Sequence, residues 1–413
     1  MSKKIHKKQQ TKKAGKASEN LLTGNLLNKN RKIHVLILFI LGIVLYINTL
    51  NHGYVLDDHL FVVGNKFVTQ GIDGIKDIWT HDAFVGGHGR KFDLTGGRYR
   101  PLSITTFAIE YEIFGYNPKP GHFFNILLYG LTGVLIYITL LRFVQGKNEW
   151  LPFFTAVLFV IHPIHTEVVA NIKSRDEILC LFFGLLAFYY MFSDNTRHLL
   201  MANLFFLLSL LSKESSFPAL AIIPLTFYFF RDYDWKTIMR KSAPFFVTAL
   251  LYLIMRTAFA GFFGETKAKW VIDNPFLYAT FGQRIATVIL IGLMYVKLLF
   301  VPYPLSYDYS FNQIPLTDFS DWRVWLGIII LAASVYGIVK GFKTKAVYAY
   351  GLLFYFISYS LISNLFFNIG TNMGERFLYF SSLGFCIFMS DILIKALKIK
   401  TQETLSFNLK YIT

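Results

Sequence analysis

Apolar residues along this chain gather into long runs separated by short polar stretches, and this alternation is its dominant pattern. Runs that could span a bilayer occur at 34–50, 122–143, 151–165, 177–192, 198–212, 216–230, 243–258, 324–339, 346–367 and 377–394. A helix needs roughly 20 predominantly apolar residues, with a range reaching down to about 17, to cross the hydrocarbon core. The runs predict an all-α polytopic membrane protein of about ten transmembrane helices. An eleventh run, 285–301, is bordered by Arg284, contains Lys297 and meets Pro302 and Pro304, which limit a helix there. It reads as a re-entrant or interfacial segment.

The longest polar insertion follows the first run, at 51–121. Within it Ile72, Ile75, Ile78 and Trp79 recur at helical spacing, which predicts a short amphipathic helix lying on the membrane surface. Gly86–Gly97 is glycine-rich, the composition of a loop that opens for a substrate. Arg98-Tyr-Arg-Pro101 then introduces a half-apolar helix at 102–114. We find no internal repeat and no glycine-rich phosphate loop beside a strand pattern.

Composition agrees with a membrane chain. Hydrophobic residues make up 54% of the 413 and charged residues 16%, against about 25% charged in soluble domains. The formal charge of +16 is unevenly placed, because residues 1–32 hold ten Lys/Arg and one Glu. We therefore divide the chain into a basic, disordered cytoplasmic tail at 1–33, a transmembrane domain at 34–396 and a second cytoplasmic tail at 397–413. With the first tail inside, the basic loop 231–241 also falls inside, and 340–345 and 395–400 follow if 285–301 does not cross. The partner of this charge is the anionic face of a lipid bilayer, with no nucleic acid implied. The first run lacks a small-residue cleavage site and reads as a retained signal-anchor. Cys180 and Cys386 lie inside apolar runs and make no disulfide framework.

This topology collects the polar chemistry on the outer side. Asp57 and Asp58 sit just past the first run, where two adjacent carboxylates need water, a metal ion or a cationic group to offset their repulsion. The same side holds Arg100, His162, His165, Glu167, Arg175, Lys213, Tyr307, Asp308 and Arg376. Each has a plain structural reading. His162 and His165 share a helix face if the helix survives Pro163, yet the stretch lacks the His-Glu-x-x-His order of zinc proteases. Lys213 can snorkel beside Glu214, Arg175-Asp-Glu177 can open a helix, and the tyrosines can form an interfacial belt. Together they supply carboxylates to act as base, cations for a phosphate and rings for a sugar face. A flippase for lipid-linked sugars would need ionisable groups near the midplane, which the apolar runs do not offer. A non-catalytic membrane scaffold is the other alternative.

These residues resemble the integral-membrane GT-C glycosyltransferases, and within them the transmembrane O-mannosyltransferases that carry C-terminal tetratricopeptide repeats. The resemblance rests on Gly53-Tyr-Val-Leu-Asp-Asp58, Tyr99-Arg-Pro-Leu102, His162-Pro-Ile-His-Thr-Glu167, Lys213-Glu214, Asp273-Asn-Pro-Phe276, Leu305-Ser-Tyr-Asp-Tyr-Ser310 and Glu375-Arg376, covering roughly 35–390. It implies a GT-C-like fold and a membrane glycosyltransferase. That enzyme would move a mannose-like sugar from a polyprenyl-phosphate donor to a Ser or Thr hydroxyl of a protein acceptor, at the luminal or periplasmic face. The membrane would be the endoplasmic reticulum or a bacterial inner membrane. Asp57 and Asp58 become the catalytic pair; Arg100, Lys213 and Arg376 become donor-phosphate ligands. His162, His165, Glu167, Arg175, Tyr307 and Asp308 become substrate-facing. A divalent cation (Mg or Mn) held by Asp58 is the one cofactor candidate. The likeness departs at the C-terminus, where the family continues into a further span and a repeat array, which makes a separate repeat protein a candidate partner.

Overall fold

The computed structural model describes residues 29–89, 98–146, 148–261, 271, 274–309 and 312–399. The tails at 1–28 and 400–413, the glycine-rich 90–97, Asp273 and Ser310 lie outside them. Every regular element among the described residues is helical. The longer helices are α1 (Lys29–Val44), α2 (Pro101–Phe114), α3 (Pro118–Phe143), α4 (Trp150–Ile161), α5 (Arg175–Tyr190), α6 (Thr196–Ser212), α7 (Ala219–Phe230), α8 (Trp235–Ala260), α9 (Phe281–Phe300), α10 (Trp322–Phe342), α11 (Val347–Ser360) and α12 (Leu378–Ala396).

The expectation of ten spans is not met by length. Six described helices are long and apolar enough to cross, Asn30–Asn51, Pro118–Phe143, Trp235–Ala260, Phe281–Phe300, Trp322–Phe342 and Glu375–Ala396. A seventh exists if Trp150–Ile161 and Pro163–Ala170, bent by 54°, count as one. The apolar runs became helices, but several of these are short. Asn195 caps α6 through the Arg197 N–H, and the helix ends after 17 residues, about 26 Å at 1.5 Å per residue. α5, α7 and α11 are shorter still, at 16, 12 and 14 residues. Pro163 cannot donate to the α4 ladder and produces the break there.

The helices pack about a main core that includes Tyr129, Ile136, Phe159, Ile178, Phe206 and Ile222. Glycines permit the closest approaches. A Cβ on Gly384 of α12 would lie 2.4 Å from the Tyr355 nitrogen of α11, and one on Gly42 of α1 would lie 2.7 Å from Gly130 Cα of α3. Small residues at such crossings bring membrane helices to backbone contact.

The bundle has two chemically different ends. One carries separate pairs, Arg31 with Glu149 at 2.7 Å, Lys241 with Asp194 at 2.5 Å, Lys345 with Asp232 at 3.2 Å and Lys395 with Asp391 at 2.5 Å. The other gathers Asp57, Lys173, Asp176, Lys213, Glu214 and Arg376. α9 is a continuous 20-residue helix, and it is among those long enough to cross. Yet both its ends bond to this second end of the bundle. Arg284 donates to the Asn364 carbonyl at 2.8 Å, and the Leu299 carbonyl accepts from His162 Nε2 at 2.9 Å.

The first outer loop folds as a small cap. Ile75–Thr80 is helical as its spacing predicts, with Ile78 buried against Phe67, Val68, Ile104 and Phe107 while Ile72 remains exposed. Pro101 occupies the first turn of α2, where its missing N–H costs nothing.

Candidate functional site

Asp57 and Asp58 are neighbours with different surroundings. Asp58 is fully buried, and both its oxygens accept backbone N–H groups, Oδ2 from Val55 at 3.0 Å and Oδ1 from Lys173 at 2.7 Å. It thereby closes a turn in which Leu56 sits at φ +48°, a sparsely populated conformation for leucine. Burial pushes the Asp58 carboxyl above its ordinary pKa, against the pull of those N–H groups. Each oxygen carries one backbone hydrogen bond, and no three His, Cys, Asp or Glu side chains converge on a metal-sized site among the described residues. Asp58 is the clasp that joins the first loop to the Lys173 turn.

Asp57, on that turn, keeps 38% of its side chain exposed. Its Oδ2 lies 3.5 Å from an Arg376 nitrogen and 3.9 Å from Lys173 Nζ. Burial pushes Asp57 up, but Lys173 and Arg376 more than offset it and hold the carboxyl below its usual range.

Behind Asp57 lies a buried hub on Asp176. Its Oδ2 accepts from Arg100 at 2.8 Å and meets Lys173 at 3.3 Å, while its Oδ1 meets Lys213 at 3.5 Å. Arg100 forks onto Glu214 at 2.5 and 2.9 Å, and Lys213 pairs with Glu177 at 2.6 Å. Burial opposes the Arg100 charge, but Glu214 and Asp176 outweigh it and its pKa rises. Burial drags the Lys173 ammonium down to about 8, Asp176 and Asp57 opposing it and Lys213 adding to it. Arg100 and Lys213, expected to meet a donor phosphate, are thus already matched by carboxylates at close range.

Arg376 enters from the start of α12. Its guanidinium pairs with Glu167, whose other oxygen accepts the Arg376 N–H at 2.9 Å. Next to it Glu375 accepts from the Ser306 N–H at 2.6 Å and from the Tyr309 hydroxyl at 2.9 Å. Glu375 so fastens the Leu305–Tyr309 loop beside the site, leaving Tyr307 68% exposed and Asp308 exposed on that loop.

Three expected substrate-facing residues turn inward instead. His162 caps the turn after α4, its Nδ1 accepting from Ile164 at 3.2 Å and its Nε2 donating to Leu299. His165 is fully buried between the Tyr129 hydroxyl at 3.1 Å and the Ser382 hydroxyl at 2.9 Å. Arg175, 1% exposed, spends its donors on Asn125, Thr106, Glu110 and the Gly121 carbonyl. These groups brace the bundle; their donors and acceptors are consumed within the protein. Glu167, almost buried, acts through Arg376.

Lys173 is the functional candidate that sequence reasoning missed, whereas Asp176 entered only as a member of Arg175-Asp-Glu177. Lys173 lies between Ile172 and Ser174 and was no part of a motif; its one signal was its place just before Arg175-Asp176-Glu177.

Comparison with known proteins follows the same direction. Residues 269–335 match the family described as "Protein O-mannosyl-transferase TMTC, DUF1736". Over 389 residues the chain is 29% identical to "Protein O-mannosyl-transferase F38B6.6" of Caenorhabditis elegans, covering 91% of this chain and 54% of the relative. It is 27% identical over 410 residues to human "Protein O-mannosyl-transferase TMTC4", covering 84% and 54%, and 28% identical over 398 residues to human "Protein O-mannosyl-transferase TMTC1", covering 83% and 43%. The chain thus spans about half the length of these relatives. No solved structure matches it.

Proposed function

We propose that this chain forms the membrane part of a glycosyltransferase, which moves a mannose-like sugar from a polyprenyl-phosphate donor to a Ser or Thr hydroxyl of a protein. The relatives named protein O-mannosyl-transferases support this reaction class. The outer or luminal face is its setting, since Arg31 and the cations Lys345 and Lys395 lie at the opposite end of the bundle. A repeat protein that selects the acceptor is the partner this reading implies.

One observation carries the assignment of roles: Asp57 is the half-exposed carboxylate of the pair, with two cations at its Oδ2. In a single displacement with inversion, the acceptor oxygen forms a bond to the anomeric carbon as the bond from that carbon to the phosphate oxygen breaks. The electron pair leaves with the polyprenyl phosphate, and Asp57 takes the hydroxyl proton. Asp58 fixes the turn that presents it, and the exposed Tyr307 offers a ring to the sugar.

The test is a transfer assay with the full chain in lipid nanodiscs, a polyprenyl-phosphate mannose and a Ser/Thr-rich peptide, read by mass spectrometry. The expected product is the peptide bearing one added hexose. A peptide that stays unmodified while the protein binds the donor would overturn the reading.

A further inference from the structure

Four cations pair with Asp57 or Asp176, and they are not held alike. Arg100 makes ion contacts of 2.5 and 2.8 Å, and Lys213 makes one of 2.6 Å. Charge-assisted hydrogen bonds of optimal strength fall at about 2.7–2.9 Å. Both side chains are deeply buried, 9% and 3% exposed, as is that of Lys173 at 8%. Moving either one toward a ligand would leave Glu214 or Glu177 as an uncompensated buried carboxylate, which costs several kcal/mol by general estimates of order 3–5.

Lys173 differs. Its ammonium meets Asp176 at 3.3 Å and Asp57 at 3.9 Å, and rests over the Phe61 ring at 5.2 Å. Its backbone is pinned, because its N–H is the donor to Asp58 Oδ1. A fixed backbone with a flexible four-carbon stem lets the ammonium swing through a small arc while the loop stays in place. Asp176 would not be stranded by that movement, since Arg100 and Lys213 remain on it. Arg376 resembles Lys173 in one respect: one of its guanidinium nitrogens reaches only to Asp57, at 3.5 Å.

We infer that Lys173, paired with Arg376 across Asp57, takes the phosphate of a lipid-linked phosphosugar, while Arg100 and Lys213 hold Asp176 and do not touch the ligand. The inference rests on the glycosyl-transfer reading above and reassigns its phosphate site. Lys173 supplies a point charge and Arg376 a planar fork, so the phosphate oxygens would sit between them with Asp57 alongside. The leaving group and the base then share one set of charges.

The experiment compares binding of polyprenyl phosphate with binding of the uncharged polyprenol, using the full chain in nanodiscs. Loss of one charge-assisted contact corresponds to about tenfold or more in affinity. Lys173→Met is expected to lower the preference for polyprenyl phosphate over polyprenol about tenfold, and Lys173→Arg to restore most of it. Lys213→Met should leave that preference unchanged while lowering thermal stability. A merely structural Lys173 would weaken both lipids equally, so an unchanged preference in Lys173→Met overturns the inference. If Lys173→Met does not fold, Lys173→Gln serves the same comparison. Failure of the underlying reading is separable: a wild type that prefers polyprenyl phosphate but transfers no sugar refutes the function and leaves the phosphate site standing.

Discussion

At the scale of single residues, the central contrast is between two adjacent aspartates that share a turn but not an environment. Asp58 is spent on backbone N–H groups, whereas Asp57 faces outward between Lys173 and Arg376. The pH dependence of transfer follows from these neighbours. Because Lys173 and Arg376 hold Asp57 below its usual range, with Asp176 opposing them and Lys213 assisting, the base stays ionised as pH falls through about 4, the ordinary carboxylate value. Transfer efficiency should therefore be flat down to that pH and fall only below it. At the other side, Lys173 loses its charge as pH rises through about 8, so donor affinity should drop there. A kcat/KM profile with an acid limb near 6 would contradict the first expectation. The adjacency of two acids was legible in the chain. Which of them is buried was not, because Asp58 finds its second partner 115 residues away, at Lys173.

At the scale of elements, the site is as exact as the helix contacts that carry it. Arg376 stands at the start of α12, and α12 is fixed by its glycine contact with α11. Leucine at position 384 would drive a side chain into the Tyr355 backbone, at a cost of about 1–3 kcal/mol or more. Gly384→Leu should lower the melting temperature and also weaken donor binding, while Gly282→Ala, with open space around its Cβ, should change neither. Thermal melts and lipid binding on the two variants check this. Hydrophobic periodicity found these helices without difficulty, since an apolar run has few other stable forms in a bilayer. It misjudged their lengths in both directions: the run at 243–258 became the longer Trp235–Ala260, while the run at 346–367 became the shorter Val347–Ser360. His162 illustrates the same limit. Its spacing from His165 resembled a ligand pair, and only the break at Pro163 and the partners Leu299, Tyr129 and Ser382 assign both rings to packing.

At the scale of the whole molecule, charge sorts itself between two ends of one helical bundle, and α9 decides how many times the chain passes between them. Both ends of α9 bond to the site end, which is the arrangement the basic loop at 340–345 requires if it is to lie inside. Cys180 and Cys386 are buried, so introduced thiols can be read against a quiet background. Tyr278→Cys and Tyr307→Cys should be labelled from the same face, and Lys343→Cys from the opposite one. Tyr278 labelled only from the Lys343 face would mean that α9 crosses.

The account as a whole depends on Asp57 being the base, and one comparison addresses that directly. Asp57→Asn keeps the size of the side chain and removes its capacity to accept a proton. With a radiolabelled polyprenyl-phosphate sugar and a Ser/Thr peptide, it should lower transfer by about two to four orders of magnitude without weakening donor binding. Asp58→Asn, measured alongside, should instead lower thermal stability by loosening the turn. Near wild-type turnover in Asp57→Asn would contradict the mechanism, wherever the other charges of the site lie.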